Sequence, residues 1–522
     1  MKSGNNIFHI ALITFLLWAA FFIFRTSAIG LDGNRYWVLF DDGMISMRYA
    51  LNLVNGFGLT WNPGEYVEGF TNPLWTLIMA MAIAMFGKFN APLVIQLIGL
   101  LLVVSSVILT KKCADKLLGQ NSRWSNIAWL LVLTYYPLMY WSLGGMEVSA
   151  LAFCMGFVLY MAICQPSQPH AISLVYGTMC TAYLIRPDGF IALIPALAIL
   201  HLNSSEDART LWIRHSQGIF LLLSTISLLA LWRHSYYGEW LPNTYTLKVT
   251  GYDLAHRFQN GTIFVGKFII STIILWIFLC YAIYRRDKNL GCIPICLGSM
   301  PVISCAYQLY VGGDPWLYWR QLAPGMIPLI LVAVLGFKSS FEKLTLPQFK
   351  KTSTLIVLIL LIWISLNGAF RREVFGKLYA FDLGDHLVKM SNLLNDVMVD
   401  GQILVFWAGT LPYYYNGYAI DALGKTDKYI ASLPPDYSVA ANGMKGLPGH
   451  AKHSMAYSMQ KNPDFLQLLS FFGDDYSRIA EESYVAIEYK GKIACVKNSS
   501  THIRWELVQR VGSCLSHKND LL

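Results

Sequence analysis

Charged side chains are scarce in this sequence. They make up 14% of the 522 residues, whereas hydrophobic residues make up 55%. A soluble domain usually has about a quarter charged residues. The deficit comes from long apolar runs, and a helix needs roughly 20 mostly apolar residues to cross about 30 Å of hydrocarbon. The composition therefore excludes an ordinary soluble protein and predicts a membrane protein with many transmembrane helices.

The sequence also lacks cysteine motifs, internal repeats and low-complexity tracts. Most of its ten cysteines lie in apolar segments, where cysteine is usually a small core residue. Cys495 and Cys514 are the exceptions, because they lie in the polar C-terminal region. Neither belongs to a CxxC pair or to a Cys/His metal-binding pattern. If that region faces an oxidising compartment, we expect these two cysteines to form a disulfide.

The formal net charge of +9 raises the question of nucleic-acid binding, but the positions of the cations argue against it. Lysines and arginines occur in short loops beside apolar runs, as the positive-inside rule expects of cytoplasmic loops. The basic loops are Lys111-Lys112, Arg209 with Arg214, Arg285-Arg286 with Lys288, and Lys338 through Lys351. We therefore expect a lipid bilayer around the chain and no nucleic-acid partner.

With those loops in the cytoplasm, the apolar runs predict a polytopic α-helical membrane protein with about eleven transmembrane helices. The first run lacks a convincing cleavage site after it, so we predict a retained helix rather than a signal peptide. The apolar segment 73–87 is short for a span, and we predict an interfacial or re-entrant helix there. The predicted spans are 7–25, 91–110, 126–143, 148–164, 171–186, 189–202, 217–232, 262–284, 292–310, 323–337 and 354–370.

An odd number of spans starting from a cytoplasmic N-terminus places the C-terminus outside the cytoplasm. The predicted domains are a transmembrane module at 1–370, with a periplasmic loop at 27–90, and a polar C-terminal domain at 371–522. In the C-terminal domain, GQILVFWAG predicts a buried strand, and YVAIEYKGKIACV predicts a hairpin that turns at Lys490-Gly491. We therefore expect a small extracytoplasmic α/β domain.

Nearly all conspicuous polar clusters fall in the predicted outer loops, which suits sugar transfer from a lipid phosphate. The leaving phosphate is a weak base that needs cations to hold its charge. The acceptor hydroxyl needs a general base such as a carboxylate, and nearby negative charge favours an oxocarbenium-like transition state. The clusters are Asp41-Asp42 with Arg48, Asn62, Glu65, Glu68 and Asn72; Gly144 through Glu147; Arg186-Pro187-Asp188; Tyr236 through Lys248; and Gly313-Asp314-Pro315 with Arg320.

Each of these clusters also has a purely structural interpretation. Asp41-Asp42 could cap an interfacial helix, on which the seven-residue spacing would place Arg48 on the face of the first aspartate. Arg186 could snorkel at the end of a span, and Glu147 could cap the next helix. Asp314 could be an ordinary turn residue. Taken one at a time, the residues leave both interpretations open.

Taken together, the motifs resemble those of the GT-C superfamily, polytopic glycosyltransferases that use polyprenyl-phosphate sugars. The resemblance is strongest to the mycobacterial terminal arabinofuranosyltransferase family and its Gram-negative relatives. The long first-loop motif is specific, and the matches extend from Asp41 to near Lys452. The motifs are DDGMISMRYALNLVNGFGLTWNPGEYVEGFTNPLW, GGMEVSA, LIRPDGF, YYGEWLPNTYTLK, GGDPWLYWRQLAP, IDALGKTDKYIA and LPGHAK.

The resemblance implies roles for individual residues. It makes Asp41 and Asp42 the catalytic carboxylates, of which we predict Asp41 to be the general base. Paired carboxylates beside a phosphate would also suit Mg²⁺ or Ca²⁺, although the sequence does not require either ion. Departures from the family pattern in GGDPWLYW and PGHAK affect the expected acceptor contacts. The implied donor-phosphate and substrate-binding residues are Arg48, Glu147, Arg186, Asp188, Tyr245, Lys248, Asp314 and Arg320.

The sequence thus predicts a glycosyltransferase in a bacterial inner membrane, with its active site and C-terminal domain in the periplasm. It would transfer a sugar, for example arabinofuranose, from a polyprenyl-phosphate donor to an envelope glycan or glycoprotein. One alternative is a transporter or flippase of lipid-linked sugars, although a transporter should carry its functional charges near the middle of the membrane. Another alternative is an assembly subunit without catalysis, which the intact acidic pair argues against.

Overall fold

A computed structural model describes residues 2–204, 206–285, 289–341, 378–437, 448–467 and 474–517. The predicted span 354–370 lies outside these residues. The helices before residue 342 are α1 (Lys2–Arg25), α2 (Asp41–Val54), α3 (Pro73–Leu118), α4 (Arg123–Thr134), α5 (Tyr136–Leu143), α6 (Val148–Cys164), α7 (Ala171–Ile185), α8 (Pro195–Asn203), α9 (Ala208–Tyr237), α10 (Asn243–Lys248), α11 (Leu254–Ser271), α12 (Ile273–Arg285), α13 (Ile293–Val311) and α14 (Met326–Phe341).

The C-terminal region mixes helices with strands. Its helices are α15 (Tyr379–Val397), α16 (Thr410–Tyr414), α17 (Lys428–Ser432), α18 (Met455–Gln460) and α19 (Asp474–Ser483). The strands of the whole described chain are β1 (Ala28–Ile29), β2 (Arg35–Tyr36), β3 (Gln402–Val405), β4 (Tyr418–Asp421), β5 (Phe465–Leu466), β6 (Tyr484–Tyr489), β7 (Lys492–Lys497) and β8 (Gln509–Gly512). The predicted helical architecture with a C-terminal α/β region is confirmed.

The chain divides into two compact units that do not follow the linear sequence. The first unit consists of Met1–Phe22, Gln96–Leu231 and Phe258–Lys377. The second unit consists of Ile23–Ile95, Trp232–Arg257 and Leu378–Leu522. The second unit therefore joins the C-terminal region to two earlier segments, one of which carries the long first-loop motif.

Several helices have the length and composition of membrane spans. Among the described residues, five meet both criteria, in α1, α3, α9, α13 and Ala323–Phe341, and a bent pair formed by α11 and α12 raises the number to six. Shorter apolar helices cover Val148–Cys164, Ala171–Ile185 and Ile191–Asn203. These helices match the positions of predicted spans, so apolar runs identified the segments well.

Two predicted spans are interrupted in the structure. The predicted span 126–143 is divided into α4 and α5 at Tyr135, because Pro137 lacks the N–H that would continue the helical hydrogen bonds. The predicted span 262–284 is bent by 80° between α11 and α12. At that bend Thr272 Oγ1 donates to the carbonyl of Phe268 at 2.7 Å, a side-chain bond that often bends helices.

A further break occurs inside α3, at Gly87. This glycine has φ +79° and ψ 163°, which no helical residue adopts, so the segment before it is a separate helical stretch. A side chain would strain this backbone, whereas glycine adopts positive φ readily. The break lies at the end of the segment 73–87, which the sequence predicted to be distinct from the span that follows.

The second unit contains a six-stranded sheet in the order β4-β3-β5-β7-β6-β8. Strands β3, β4 and β5 are parallel, whereas β7, β6 and β8 continue the sheet in antiparallel pairs. The predicted hairpin is confirmed, since Tyr489 pairs with Lys492 and both Lys490 and Gly491 have positive φ. The predicted buried strand is β3, whose last three residues are all buried.

The sheet is covered on both faces. Ile403 and Val405 of β3 pack in a core with residues of α15 and α2. Leu404 and Phe406 point to the other face and join a second core that contains Cys495 and Cys514. Burial on both faces explains why the sequence of this strand is a continuous apolar run and does not alternate between apolar and polar residues.

Candidate active site

The acidic pair opens helix α2 in the second unit. Asp41 is 6% exposed, and its carboxylate accepts hydrogen bonds from the backbone N–H groups of Gly409 at 3.2 Å and Thr410 at 2.8 Å. It therefore lies at the start of α16 and makes no side-chain cap for its own helix. Burial raises the pKa of Asp41 to about 6, although Lys425 and the Thr410 N–H oppose the shift.

Asp42 has a different partner. Its Oδ1 lies 3.3 Å from the ammonium of Lys425, and its side chain is 18% exposed. Burial opposes the charge of Lys425, but Asp42, Asp41 and Asp421 together raise the pKa of Lys425 above its ordinary value. Asp42 is thus the more accessible carboxylate, held against a buried cation.

The sheet brings these partners together. Gly409 and Thr410 follow β3, and Lys425 follows β4, which is parallel to β3. The carboxyl ends of parallel strands share one edge of the sheet, where ligand sites commonly form. Asp421 fixes the second loop, because its carboxylate accepts from the N–H groups of Leu423 at 2.9 Å and Thr426 at 2.8 Å.

Helix α10 carries Tyr245 and Lys248, both half-buried, and it packs against the loop after β4. Asn243, at the start of this helix, donates from Nδ2 to the carbonyls of Gly424 at 2.9 Å and Lys425 at 3.0 Å. A Cβ on Gly449 would lie 3.2 Å from Cε of Lys248. Lys248 is therefore next to the PGHAK segment.

His450 of that segment belongs to the same group of charges. Burial, together with the charges of Lys425 and Lys248, lowers the pKa of His450 to about 3, although Asp42 opposes the shift. The imidazole is therefore neutral at physiological pH. Sequence reasoning quoted the motifs that contain Lys425 and His450 without assigning either residue a role. Their membership of those motifs was the available signal.

Two other charged residues of the first-loop motif, Arg48 and Glu68, are buried against partners within the protein. Arg48 is buried and donates to the carbonyls of Trp61 at 2.7 Å and Gly417 at 3.0 Å, and also to that of Pro412. Glu68 is buried against Arg233, with Oε1 3.0 Å from Nη2. Arg48 was predicted to bind substrate, and that role stays a prediction, while in the structure its guanidinium contacts these backbone carbonyls.

The predicted site residues of the first unit form two ionic groups. In one, Arg186 at the end of α7 binds Asp188 at 2.7 Å and Glu147 at 3.1 Å. In the other, Arg320 binds Asp314 at 3.0 Å and lies over the ring of Trp141. The structural interpretation of Glu147 as a helix cap does not hold, because its side chain makes no cap hydrogen bond.

Both groups border one cleft within the first unit. Asp188 and Gln321 are among the residues that line this cleft. Gln321 donates to Asp314 at 3.1 Å, which links the cleft to the second ionic group. The structure thus brings Glu147, Arg186, Asp188, Asp314 and Arg320 to one place in the first unit, and Asp41, Asp42, Tyr245 and Lys248 to the second unit.

The acidic pair was also a candidate site for a divalent cation. Within the described ranges, no group of three or more His, Cys, Asp or Glu side chains is arranged to hold a metal. The ammonium of Lys425 lies beside Asp42 and neutralises the carboxylate that Mg²⁺ or Ca²⁺ would use. The residues of the acidic pair therefore do not fit a metal site by themselves.

The two cysteines of the C-terminal region form a disulfide. The Cα atoms of Cys495 and Cys514 are 5.5 Å apart, within the usual range for such bonds. Cys495 belongs to β7, and Cys514 follows β8, which is separated from β7 by β6. The bond therefore links the segment after β8 to β7, across the intervening strand β6.

Comparisons with known proteins agree with this architecture. No family model matches the sequence. A terminal beta-(1→2)-arabinofuranosyltransferase from Mycobacterium tuberculosis is 27% identical over 252 residues, which are 45% of this chain and 38% of that protein. The match thus spans less than half of the relative's length.

Two solved structures are similar over nearly the whole chain. The crystal structure of ArnT from Cupriavidus metallidurans in the apo state matches with a TM-score of 0.54 and 15% identity, over 94% of this chain and 98% of that one. The archaeal oligosaccharyltransferase AglB from Archaeoglobus fulgidus, in complex with an inhibitory peptide and a dolichol-phosphate, matches with a TM-score of 0.50 and 11% identity. It covers 97% of this chain and 77% of that one.

These likenesses identify the fold. The chain is a multi-pass membrane protein with the GT-C fold seen in ArnT and AglB. The fold expected from the resemblance of the motifs is therefore confirmed.

Proposed function

We propose that this chain is a glycosyltransferase that moves a sugar from a polyprenyl-phosphate donor to a cell-envelope glycan or glycoprotein. The sugar we propose is a pentofuranose such as arabinofuranose, in keeping with the arabinofuranosyltransferase relative. One observation carries the proposal. The acidic pair Asp41-Asp42 lies with Lys425 at the carboxyl ends of parallel strands in a chain with the GT-C fold.

The proposed setting is a bacterial inner membrane, with the active site and the C-terminal domain on the periplasmic side. Basic loops on the opposite side of the spans support this orientation by the positive-inside rule. A disulfide between Cys495 and Cys514 supports it independently, since such bonds persist in oxidising compartments.

In the proposed reaction, the acceptor hydroxyl attacks the anomeric carbon of the donor sugar. A bond forms between the acceptor oxygen and that carbon, and the bond from the carbon to the phosphate oxygen breaks. The phosphate leaves with the electron pair as polyprenyl phosphate, and the hydroxyl proton passes to Asp41. A pKa of about 6 suits this role, because the carboxylate is ionised near pH 7 and remains basic enough to accept a proton.

Cations are needed for the charge of the leaving phosphate. Lys248 is our candidate in the second unit, because it is half-buried beside His450 and Lys425. Lys425 keeps Asp42 paired and so limits repulsion between the two carboxylates. Asp42 is proposed to position Asp41 and the reacting groups.

Arg186 and Arg320 are proposed as further phosphate ligands. Both are already ion-paired, and Arg186 faces two carboxylates. In the proposal the donor phosphate joins these carboxylates at the guanidinium groups. Changing either arginine to alanine should raise the KM for the donor far more than the KM for the acceptor. An equal effect on both substrates would contradict this role.

The proposal is tested with purified protein, a radiolabelled polyprenyl-phosphate arabinofuranose and a soluble glycan acceptor. Transfer of label to the glycan, with release of polyprenyl phosphate and without a membrane gradient, is the expected result. Asp41→Asn should lower turnover by about 10²–10⁴, the usual contribution of a general base. Asp385→Asn is the matched control, because Asp385 forms a half-exposed ion pair with Lys389.

The variants also separate the two carboxylates. Turnover by Asp41→Asn close to that of the unchanged protein, at matched membrane expression, would show that Asp41 is not the base. Normal turnover in both Asp41→Asn and Asp42→Asn would overturn the mechanism. Movement of labelled lipid across the membrane without any product would favour a transporter instead.

A further inference from the structure

Lys452 is a buried lysine with an unusual set of partners. It is 1% exposed, and its ammonium donates to three backbone carbonyls: Ala431 at 2.7 Å, Thr250 at 2.8 Å and Thr246 at 3.0 Å. Within the described residues, no ion pair joins it to a carboxylate. A buried charge is costly unless it is well hydrogen-bonded, so these three contacts explain why the ammonium can stay there.

The three carbonyls come from two segments that carry the cations of the candidate site. Thr246 belongs to α10 and Thr250 follows it, so they flank Lys248 on either side. Ala431 lies in α17, which begins three residues after Lys425. All three carbonyls belong to the last turn or the exit of a short helix, where unsatisfied carbonyls and the negative end of the helix dipole favour a cation.

A second tie joins the same segments independently. Asn243, at the start of α10, donates to the carbonyls of Gly424 and Lys425 itself. Helix α10 is therefore held at its beginning by Asn243 and at its end by Lys452. With only six residues, α10 cannot form a stable helix alone, so its position depends on such contacts.

We propose that Lys452 is a positioning residue that fixes Lys248 relative to Lys425 and the acidic pair. The inference rests on the proposed function, in which Lys248 binds the donor phosphate. Lys452 itself touches no reacting atom. It acts through the backbone on both sides of Lys248. In this proposal the lysine of the LPGHAK motif has a positioning role.

The test compares Lys452→Met with Lys428→Met by steady-state kinetics of the purified, full-length protein. Lys428 is the matched control, because it lies in α17, the helix that Lys452 contacts through Ala431, and donates to one carbonyl, that of Tyr237, but its side chain is 41% exposed. Loss of a positioned charge on phosphate should raise the donor KM of Lys452→Met by about tenfold or more. Its kcat should change little, since Asp41 is held by other contacts.

Two further variants guard against a purely structural effect. Asn243→Ala should raise the donor KM in the same way, and Lys452→Arg should recover part of the loss because it keeps the charge. If Lys452→Met does not fold, these two variants decide the question. A lower melting temperature with an unchanged donor KM in all of them would overturn the positioning role.

Failure of the positioning role can be distinguished from failure of the proposed function. If the unchanged protein transfers no sugar from any polyprenyl-phosphate donor, the transferase assignment fails. If it transfers sugar and Lys452→Met keeps its donor KM, only the positioning role fails.

Discussion

Asp41, the proposed general base, is a buried carboxyl group with a raised pKa. Because burial raises its pKa to about 6, the carboxyl holds a proton below that pH and cannot accept one from the acceptor. We expect kcat/KM to rise with pH through about 6 and then to level off. Measuring kcat/KM from about pH 5 to about pH 8 tests this directly, because a group with this pKa changes its protonation state within that range.

Two variants provide the controls for this pH profile. In Asp41→Asn the acidic limb near pH 6 should disappear together with most of the turnover, because the titrating group is gone. In Asp385→Asn the limb should stay where it is. A flat profile in the unchanged protein would mean that another group accepts the proton.

At the scale of elements, the approach of α16 to α2 depends on a glycine. A Cβ on Gly409 would lie 2.0 Å from the main-chain oxygen of Asp41 and 2.6 Å from its Oδ1. Gly409→Ala must therefore push the two segments apart, and overpacking of this kind typically costs about 1–3 kcal/mol. We expect a lower melting temperature and a loss of turnover in this variant.

Gly177→Ala provides the comparison for Gly409→Ala. Gly177 lies inside α7, and nothing is within 4 Å of the position that its Cβ would take. Alanine should be tolerated there, because it favours helix over glycine. Equal turnover in the two variants would show that the contact between Gly409 and Asp41 is not needed.

The disulfide is the second element-scale feature with a measurable effect. Cys495 and Cys514 are 19 positions apart, and closing a loop of this size should stabilise the fold by about 3 kcal/mol on the chain-entropy model. The double change to alanine should lower the free energy of unfolding of the C-terminal region by that order. Urea unfolding followed by the fluorescence of nearby tryptophans measures the change.

Cys280→Ala serves as the control for the disulfide, since Cys280 is a free, exposed cysteine in α12. It should leave the unfolding midpoint unchanged. A reductant should mimic the double variant in the unchanged protein and have no effect on the variant itself. Stability that does not respond to reductant would contradict a structural role for the bond.

At the scale of the whole molecule, the orientation in the membrane is the central prediction. From the basic loops in the sequence and the positive-inside rule, we expect the loop after α12 to lie in the cytoplasm and the C-terminal region to lie outside it. Reporter fusions after Arg285 and after His517 should give opposite signals. Signals from the same side would overturn both the topology and a periplasmic active site.

Much of this architecture could be predicted from the sequence, because short stretches of sequence determine it. Apolar runs located the helices, and the Lys490-Gly491 turn located a hairpin. The bend at Thr272 could not be predicted, since the apolar run continues through it and tertiary packing decides. The hydrogen bonds from Arg48 to the carbonyls of Pro412 and Gly417 also could not be predicted, because those residues lie far along the chain.

The candidate site was predicted only in part for a similar reason. The acidic pair stands out as two adjacent carboxylates, and the family resemblance gives it a role. Lys425 lies 383 residues from Asp42 in the chain, and only the pairing of β3 with β4 brings it near. No local pattern marks such a contact, so the motifs that contain Lys425 and His450 did not by themselves show that both residues lie near the acidic pair.

The anchoring of Asp41 also has a consequence for how the protein is made. The carboxylate emerges early in synthesis, but the Thr410 N–H that holds it is 369 residues further along. At common translation rates the ribosome needs roughly 20 to 70 s to add that length. A nascent chain already inserted in the bilayer therefore carries an acidic pair without its anchor, and the buried setting of Asp41 forms only after Thr410 has been added.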